Sequence, residues 1–332
     1  SISWLKKLRN KTIMNYIKNI LKEYPFVILD GALATELERA GFKLKSRLWS
    51  AKLLSENPDA IKNIHLSYLE AGADCITTAS YQATIDGFVS EGFTVKEAKK
   101  LIQSSVTLAL KSIDEFIEKN QLTYRPYPFI AASIGCYGAY LANGSEYSGN
   151  YTLTFADYRN FYESRIELLH EAGANFLAFE TFPRLDEALA VAEIMKSYNN
   201  IHYWISFTAK DKKSIPDGKL FSDCVKALLV YKNLAAVGIN CSDPEFISSL
   251  IEEANTDTTI PIIVYPNSGE IFDTTCNCWT KQERCVDFSM ASQEWYNKGA
   301  RLIGGCCRTT PEDIKKISNF RKRLMATTPL YF

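Results

Sequence analysis

Short apolar segments recur along the whole chain, separated by longer stretches in which apolar and polar residues are mixed. Eight such runs occur, at residues 26–29, 75–78, 129–132, 176–179, 203–206, 236–239, 262–265 and 302–304. Each run is apolar over most of its length and does not alternate with polar residues. Strands that are buried on both faces of a parallel sheet have this composition. The pattern therefore predicts eight parallel strands.

The stretches between the runs have helical periodicity. Helices are predicted at residues 58–71, 94–118, 155–171, 185–198, 224–231, 244–254 and 292–298, and a last helix is predicted to start at Pro311 behind a Thr309 or Thr310 cap. Similar boundary sequences occur at residues 70–74, 171–175 and 297–301. Each has a central glycine, which is expected to cap a helix just before a strand begins.

Eight strands that alternate with helices predict an α/β protein, a (β/α)8 TIM-type barrel in a single domain, with a doubly wound open sheet as the alternative. No Gly-x-Gly-x-x-Gly motif follows the first strand, which argues against the open dinucleotide-binding sheet. We expect the barrel to span residues 14–325, and residues 1–13 to be an N-terminal extension or a cloning remnant. The long segments 135–154 and 266–289 would then lie on the functional face of the barrel.

The chain has 332 residues, and its 38 Lys and Arg residues balance its 38 Asp and Glu residues. A net charge of zero argues against a general nucleic-acid or membrane-surface binder, and no protein partner is indicated. With 46% hydrophobic and 23% charged residues, the chain is expected to be globular. No 18-residue apolar run and no secretory signal is recognised, so a cytoplasmic location is predicted. In that reducing compartment the nine cysteines would remain thiols.

Three of the nine cysteines lie at the ends of two predicted strands. Cys241 follows the sixth strand, and Cys306 and Cys307 follow the eighth. Thiolates are soft ligands that suit Zn²⁺, and three protein ligands would leave one of four positions open, as in catalytic zinc sites. Neighbouring strand residues point to opposite faces, so these two cysteines can share an ion only if Gly304-Gly305 releases the backbone from strand geometry. Packed thiols and a vicinal disulfide are the alternatives.

The other candidate metal ligands are weaker. Cys276, Cys278 and Cys285 form a competing cluster that is expected to consist of loop cysteines. Cys75 and Cys224 are expected to pack inside the protein. The three histidines are expected to be structural: His65, His170 and His202. None of them is predicted at the barrel mouth, where a general base would lie.

Two acidic residues end buried strands, Asp30 after the first and Glu180 in the fourth. The functional candidates are a general acid/base pair, a second metal site and a clamp for an ammonium group. Capping or loop hydrogen bonding is the alternative. A charged residue at the end of a barrel strand favours function, because strand ends carry the active-site residues of this fold.

Seven segments of the chain resemble the homocysteine S-methyltransferase family, and in particular the branch that uses S-methylmethionine as methyl donor. They are residues 30–38, 48–52, 79–84, 137–141, 238–241, 265–270 and 304–311. The Gly-Gly-Cys-Cys-Arg sequence at 304–308, combined with Asn-Cys at 240–241, is the most specific part. Cys136 departs from the family, which often has proline at that point, and it would add a fourth thiol near the mouth.

The resemblance implies a (β/α)8 barrel with zinc bound by Cys241, Cys306 and Cys307. It also implies that Asp30 and Glu180 hold the amino group of homocysteine. The substrates would then be homocysteine and a sulfonium methyl donor, and the product would be methionine.

These implications lead to a hypothesis for the chemistry. The homocysteine thiol would fill the fourth zinc position and lose its proton there, because a free thiol with a pKa of about 8.5 is mostly protonated at neutral pH. Its sulfur would take a methyl group from the sulfonium, and a neutral thioether would leave, so no catalytic side chain is predicted. Gly31 is a predicted substrate contact, and Trp49 and Tyr81 are predicted to face the sulfonium by cation–π contact.

Three alternatives remain open from the sequence. S-adenosylmethionine or a betaine could replace S-methylmethionine as the donor. A zinc-dependent lyase or hydrolase would use Asp30 and Glu180 as acid and base. A zinc-binding or redox-sensing protein would carry out no catalysis.

Overall fold

The computed structural model describes residues 16–44, 48–255, 258–273, 278–280 and 286–327. Its strands are β1 (Val27–Ile28), β2 (Cys75–Thr77), β3 (Phe129–Gly135), β4 (Phe176–Phe182), β5 (His202–Phe207), β6 (Leu234–Asn240), β7 (Ile262–Tyr265), β8 (Ile271–Asp273), β9 (Cys278–Thr280) and β10 (Ala300–Ile303). Strands β1 to β7 and β10 form one parallel sheet in the order β1-β10-β7-β6-β5-β4-β3-β2. Each of the eight apolar runs overlaps one of these strands, so the strand prediction is confirmed.

Helices fill the connections between the strands. They are α1 (Tyr16–Glu23), α2 (Leu33–Arg39), α3 (Leu53–Glu56), α4 (Pro58–Ala71), α5 (Ile85–Ser90), α6 (Val95–Lys119), α7 (Tyr137–Leu141), α8 (Ser145–Ser148), α9 (Phe155–Glu171), α10 (Leu185–Met195), α11 (Phe221–Leu228), α12 (Pro244–Asn255), α13 (Phe288–Lys298) and α14 (Pro311–Thr327), with a 3-10 helix (Trp49–Lys52) before α3. All predicted helices are present, with ends displaced by a few residues. The additional helices are short, and so few residues carry too little periodicity to reveal a helix.

The glycine boundaries predicted from the repeated sequence are present at all three positions. Gly72, Gly173 and Gly299 have φ angles of 112°, 107° and 121°. Residues with a Cβ rarely adopt this left-handed backbone conformation, so glycine is favoured where each helix turns into the next strand.

The sheet closes into a barrel between β1 and β2. Leu29, directly after β1, forms a parallel bridge with Cys75 at the start of β2. The Asp30 amide donates a hydrogen bond to the Cys75 carbonyl (3.0 Å), and the Asp74 amide donates one to the Ile28 carbonyl (2.8 Å). The protein is therefore a single-domain (β/α)8 barrel, and the open-sheet alternative is wrong.

A buried ion pair holds the junction between β1 and β2. Arg321 of α14 pairs with Asp74, and both side chains are almost fully buried. Arg321 also donates to the Phe26 carbonyl (3.1 Å), while Asp74 accepts from the Ile28 amide (2.8 Å). The pair thereby ties the last helix to the two strands that close the barrel.

Buried strand residues divide into two clusters, as expected for a closed barrel. Ile28 and Val264 belong to the layer between the strands and the helices. Their neighbours Val27 and Ile263 belong to the barrel interior, where two isoleucines of α1 join them, so this helix helps to close the barrel. Successive strand residues point to opposite faces, and both faces are buried here. This is why the apolar runs do not alternate with polar residues.

The segment after β7 contains a hairpin that the sequence analysis did not predict. Strands β8 and β9 pair antiparallel, with Ile271 opposite Thr280. Part of the predicted loop at 266–289 is therefore ordered into a second, two-stranded sheet at the carboxyl end of the barrel.

Residues 1–13 lie outside the described residues, and the domain limits 14–325 stay a prediction. Among the described residues, no helix combines the length and the apolar character that a membrane crossing requires.

Candidate metal and substrate site

Three cysteine sulfurs converge at the carboxyl end of the barrel. Cys241 directly follows β6, and Cys306 and Cys307 lie in the turn after β10. All three Sγ atoms lie within 4.8 Å of one another, and those of Cys241 and Cys307 are 3.5 Å apart. Ligand sulfurs in a tetrahedral zinc site are about 3.8 Å apart, since each zinc–sulfur bond is about 2.3 Å long. The three sulfurs are therefore close enough to bind one metal ion.

The turn after β10 leaves strand geometry as predicted, but its glycines act through close packing. Neither Gly304 nor Gly305 has a left-handed φ angle. A Cβ on Gly304 would lie 2.5 Å from the Leu29 Cβ, and a Cβ on Gly305 would lie 2.4 Å from Thr309 Oγ1. The Thr309 hydroxyl donates to the Cys306 carbonyl (2.7 Å). The glycines thus allow the turn to pack against the end of β1 and to close on itself.

Hydrogen bonds among the three sulfurs make their acidities unequal. The hydrogen bonds that the Cys306 and Cys307 thiols donate to the Cys241 sulfur hold the pKa of Cys241 well below its usual range. Hydrogen bonding to that negatively charged sulfur raises the pKa of Cys306 and of Cys307. Three thiolates this close together repel one another, whereas a bound dication would stabilise all three. The chemistry of this cluster therefore suits a divalent cation.

Asp30 is 4% exposed and lies beside the end of β2. Its carboxylate accepts hydrogen bonds from the Thr77 amide (2.8 Å) and the Thr77 hydroxyl (3.1 Å). Burial raises the pKa of this carboxyl to about 8. The groups that most affect this pKa are Thr77, Glu180 and the backbone of Asp30, and none of them is basic. The ionised form is therefore unfavourable until a cation binds next to it.

Glu180, on β4, has the same character. It is 7% exposed, and its carboxylate accepts hydrogen bonds from the Tyr265 hydroxyl (3.0 Å) and the Ser133 hydroxyl. Burial raises the pKa of Glu180 to about 7. Its negative charge also contributes to the raised pKa of Asp30, so the two carboxyl groups are close enough to interact. One cation near both would be stabilised by both.

A buried hydrogen-bond network orients Glu180. The Tyr265 hydroxyl lies 2.6 Å from Ser206 Oγ, and Ser206 donates to Asn240 Oδ1 (2.9 Å). The same oxygen accepts from the amide of Thr181 (2.8 Å), which has a left-handed φ angle of 65°. The network thereby fixes the carboxyl ends of β4, β5, β6 and β7 relative to one another.

Gly31 lies between Asp30 and the turn that carries the cysteines. A Cβ at this position would lie 2.8 Å from Thr309 Oγ1 and 2.9 Å from the Tyr68 ring. The Gly305 amide donates to the Asp30 carbonyl (3.1 Å). Glycine is therefore required here for packing, and its predicted contact with substrate stays a prediction.

The structure brings Trp49 and Tyr81 together. Their ring centroids are 6.3 Å apart, and the rings meet edge to face at 66°. The Tyr81 carbonyl accepts a hydrogen bond from buried Arg165 (2.8 Å), which fixes its position. Burial raises the pKa of the Tyr81 hydroxyl, and the charge on Cys241 contributes. The two rings therefore lie on the side of the barrel that carries the cysteines.

The sequence analysis did not predict which residues hold the candidate side chains in place. Thr77, Asn240 and Tyr265 are the last residues of β2, β6 and β7, and a polar group ending an apolar run was the available signal. Tyr147 had no such signal, because it lies on α8, a four-residue helix. Its hydroxyl lies 3.2 Å from the Cys241 Sγ, across 94 residues of sequence.

The other cysteines are not part of the metal-binding arrangement found in the described residues. Cys75 and Cys224 are buried, as predicted, and Cys136 is buried near Glu187 and Tyr151. The competing cluster of Cys276, Cys278 and Cys285 lies outside the described residues, except that the backbone of Cys278 is described as part of β9.

The three histidines lie away from the carboxyl ends of the strands. His65 is buried within α4, and His202 is the first residue of β5, at its amino end. The Nδ1 atom of His170 lies 3.0 Å from the Ala174 carbonyl, in the connection that leads into β4. None of the three is placed to act as a general base at the mouth.

Fold and site together define the class of protein. A (β/α)8 barrel carries its active site at the carboxyl ends of its strands. Here those ends hold three free cysteines within metal-binding distance and two buried carboxyl groups with raised pKa values. The protein is a barrel enzyme with a thiol-rich candidate metal site.

Comparison with known proteins identifies the family. The model of the homocysteine S-methyltransferase family matches residues 27–320. The homocysteine S-methyltransferase YbgG of Bacillus subtilis is 49% identical over 316 residues, covering 95% of this chain and all of that protein. Homocysteine S-methyltransferase 1 of Arabidopsis thaliana is 45% identical over 304 residues, covering 89% of this chain and 93% of that protein. The chain belongs to the homocysteine S-methyltransferase family.

A solved structure agrees with this assignment. The metallated form of the homocysteine methyltransferase MmuM from Escherichia coli superposes with a TM-score of 0.82 and 40% sequence identity, covering 91% of this chain and 99% of that one. The resemblance found in the sequence is thereby confirmed, as is the assignment to a family of methyltransferase enzymes.

Proposed function

We propose that this enzyme transfers a methyl group from S-methylmethionine to the thiol of homocysteine, with zinc as its cofactor and methionine as its product. Family membership supports the acceptor and the type of reaction. The observation that carries the zinc proposal is the convergence of the Cys241, Cys306 and Cys307 sulfurs within 4.8 Å. Three such ligands leave one position for a substrate sulfur.

The residues present fit a zinc ion. Cys241, Cys306 and Cys307 would hold it, and their unequal acidities are what three crowded thiols show before a dication binds. Bound zinc would supply a positive charge that keeps the homocysteine sulfur deprotonated. The remaining chemistry depends on how the chain holds the two substrates.

Asp30 and Glu180 are proposed to bind the ammonium group of homocysteine. Both are buried carboxyls, and their hydrogen bonds come from Thr77, Ser133 and Tyr265, none of which carries a positive charge. An ammonium group would supply the missing charge and favour the ionised form of each carboxyl. Such a clamp would orient homocysteine so that its sulfur points toward the cysteine turn.

The sulfonium donor is proposed to lie against Trp49 and Tyr81. Their meeting rings offer aromatic surface to a cation, a contact worth about 0.5–2 kcal/mol. The homocysteine sulfur would form a bond to the methyl carbon while the bond between that carbon and the donor sulfur breaks. The electron pair of the broken bond would stay on the donor sulfur. A neutral thioether then leaves, so no general acid is needed, in keeping with histidines that lie far from the mouth.

A donor panel tests the proposal directly. The purified enzyme with zinc is incubated with homocysteine and, in turn, S-methylmethionine, S-adenosylmethionine or betaine, and methionine is quantified. We expect the highest kcat/KM with S-methylmethionine. Preference for either other donor would contradict the donor assignment, and no methyl transfer to homocysteine from any donor would contradict the function.

A ligand substitution tests the metal site. Cys306→Ser is expected to lower bound zinc well below one ion per chain and to reduce methyl transfer by at least about 100-fold, because one of three thiolate ligands is lost. Zinc is measured by elemental analysis and activity by methionine formation. Cys224→Ser is the matched control, since Cys224 is a buried thiol on α11, away from the cluster. Full activity of Cys306→Ser without zinc would refute the role of the metal.

A further inference from the structure

Helix α8 packs against α7 and lies beside the cysteine cluster. A Cβ on Gly138 of α7 would lie only 2.6 Å from the Glu146 amide, so the two short helices are in close contact. The Gly149 carbonyl at the end of α8 accepts a hydrogen bond from Arg184 (3.1 Å). These contacts hold the Tyr147 hydroxyl 3.2 Å from the Cys241 sulfur. Helix α8 therefore lies at the mouth of the barrel, beside the cysteine cluster.

Glu146 has a buried carboxylate oxygen with no hydrogen-bond partner among the described residues. Its Oε2 atom is the one concerned. The other buried carboxylates near the mouth are satisfied: Asp30 by Thr77, and Glu180 by hydroxyl groups. Burial raises the pKa of Glu146, because water is excluded and no positive charge compensates. Leaving such an oxygen unsatisfied costs free energy unless a ligand pairs with it.

The surroundings of Glu146 identify the kind of ligand. The charge on Cys241 contributes to the raised pKa of Glu146, and the charge on Glu146 contributes to that of Tyr81. The next residue, Tyr147, has its hydroxyl 3.2 Å from the Cys241 sulfur, so Glu146 lies on the same short helix beside the cysteine cluster and interacts with Tyr81, the ring that meets Trp49. A carboxylate beside aromatic rings suits a cation, which gains from both.

We propose that Glu146 is a specificity-determining residue whose free carboxylate oxygen contacts the sulfonium group of the methyl donor. This inference rests on the function proposed above. The donor is positively charged before the reaction and becomes a neutral thioether when its methyl group leaves. The attraction to Glu146 is thus greatest in the bound substrate and declines as the reaction proceeds. Glu146 would strengthen donor binding and favour thioether release, and it would not accelerate the chemical step.

The test compares Glu146→Gln with the wild type, both loaded with zinc. We expect the KM for S-methylmethionine to rise at least about tenfold, because a charge-assisted contact is lost. The kcat, the KM for homocysteine and the zinc content should change less than about twofold. Glu146→Asp should retain part of the donor affinity, because it keeps the charge. Glu118→Gln, on the exposed part of α6, removes the same charge far from the mouth and should change nothing.

A second probe separates the sulfonium from the ammonium group of S-methylmethionine. Trimethylsulfonium has no ammonium group, and its inhibition constant against S-methylmethionine should rise in Glu146→Gln by a similar factor. An unchanged constant would overturn contact with the sulfonium. An unchanged donor KM, or an equal rise in the homocysteine KM, would overturn the donor role. If the wild type itself transfers no methyl group from a sulfonium, the proposed function fails together with this inference.

Discussion

Buried carboxyl groups of this barrel differ in what compensates their charge and in where they lie. Asp74 is paired with Arg321, and Glu187, whose donors are two tyrosine hydroxyls and a backbone amide, lies on α10 and not at a strand end. Asp30 and Glu180 have only hydroxyl and amide donors, and both lie at the carboxyl ends of strands. A buried carboxylate at a strand end that has no positively charged partner in the protein is suited to bind a cationic ligand.

At the residue scale, the raised pKa values predict how homocysteine binding depends on pH. The carboxyls of Asp30 and Glu180 have pKa values of about 8 and about 7, so both are largely protonated at pH 6. An ammonium group binds their ionised forms, so its affinity increases as pH rises. We expect the KM for homocysteine to fall between pH 6 and 8.5, by up to about tenfold per pH unit for each carboxyl that ionises. Initial rates at saturating donor measure this.

The Asp30→Asn variant is the control for that profile. The variant should lose the change in homocysteine KM near pH 8, which is due to Asp30, and keep the change near pH 7, which is due to Glu180. Ionisation of the substrate thiol affects the variant and the wild type alike. Its KM at pH 8.5 should be at least about tenfold higher than that of the wild type, because a charged hydrogen bond is lost. Loss of zinc instead of homocysteine affinity would mean that Asp30 has a structural role.

At the scale of elements, the site depends on how strand ends turn into the following loops. The turn after β10 is packed so tightly that a Cβ on Gly305 would lie 2.4 Å from Thr309 Oγ1, and Thr309 is fully buried. The hydroxyl of that threonine closes the turn on the Cys306 carbonyl. The two adjacent cysteines are therefore positioned by steric fit and one hydrogen bond, not by strand pairing.

Gly305→Ala tests this packing. The added methyl group should displace the turn, lower zinc occupancy and destabilise the protein by about 1–3 kcal/mol, as overpacking does. Zinc per chain and chemical denaturation measure the two effects. Gly41→Ala is the control, because Gly41 has open space around it and only its φ angle of 94° disfavours a side chain. That variant should keep its zinc. Full zinc occupancy in Gly305→Ala would show that the turn tolerates the added volume.

At the scale of the whole molecule, barrel closure depends on contacts between distant parts of the chain. The β1 strand has two residues, and only an isolated bridge and a few hydrogen bonds join its end to β2. The ion pair between Arg321 and Asp74 spans 247 residues and lies at this junction. The last helix therefore contributes a long-range contact to the junction where the barrel closes.

Asp74→Asn is expected to destabilise the whole fold by about 3–5 kcal/mol, because it leaves Arg321 buried without an opposite charge. Urea denaturation measures the loss, and kcat well below the melting temperature should be unchanged. Glu193→Gln breaks an exposed pair with Lys196 and should cost less than about 1 kcal/mol. A comparable loss in both variants would mean that burial at the junction has no special effect.

The order of strands and helices, their approximate limits and the residues of the cysteine motif could all be predicted from the amino-acid sequence. Those features are local: an apolar run such as 262–265 reports burial on both faces, and a glycine such as Gly72 reports a left-handed helix end. The family resemblance added the meaning of the cysteines. Short helices such as α8 escaped prediction because four residues carry no periodicity.

Which groups lie next to one another became known only from the folded barrel. The Cys241 and Cys307 sulfurs are 3.5 Å apart, Asp30 is buried among uncharged hydrogen-bond donors, and Glu146 lies on the helix whose Tyr147 hydroxyl is 3.2 Å from the Cys241 sulfur. Distances of this kind depend on how a closed sheet brings strand ends from the whole chain to one rim. Local patterns encode burial and backbone preference but not proximity across the barrel. The residues of the site could therefore be predicted from the sequence, whereas their arrangement depends on the closed barrel.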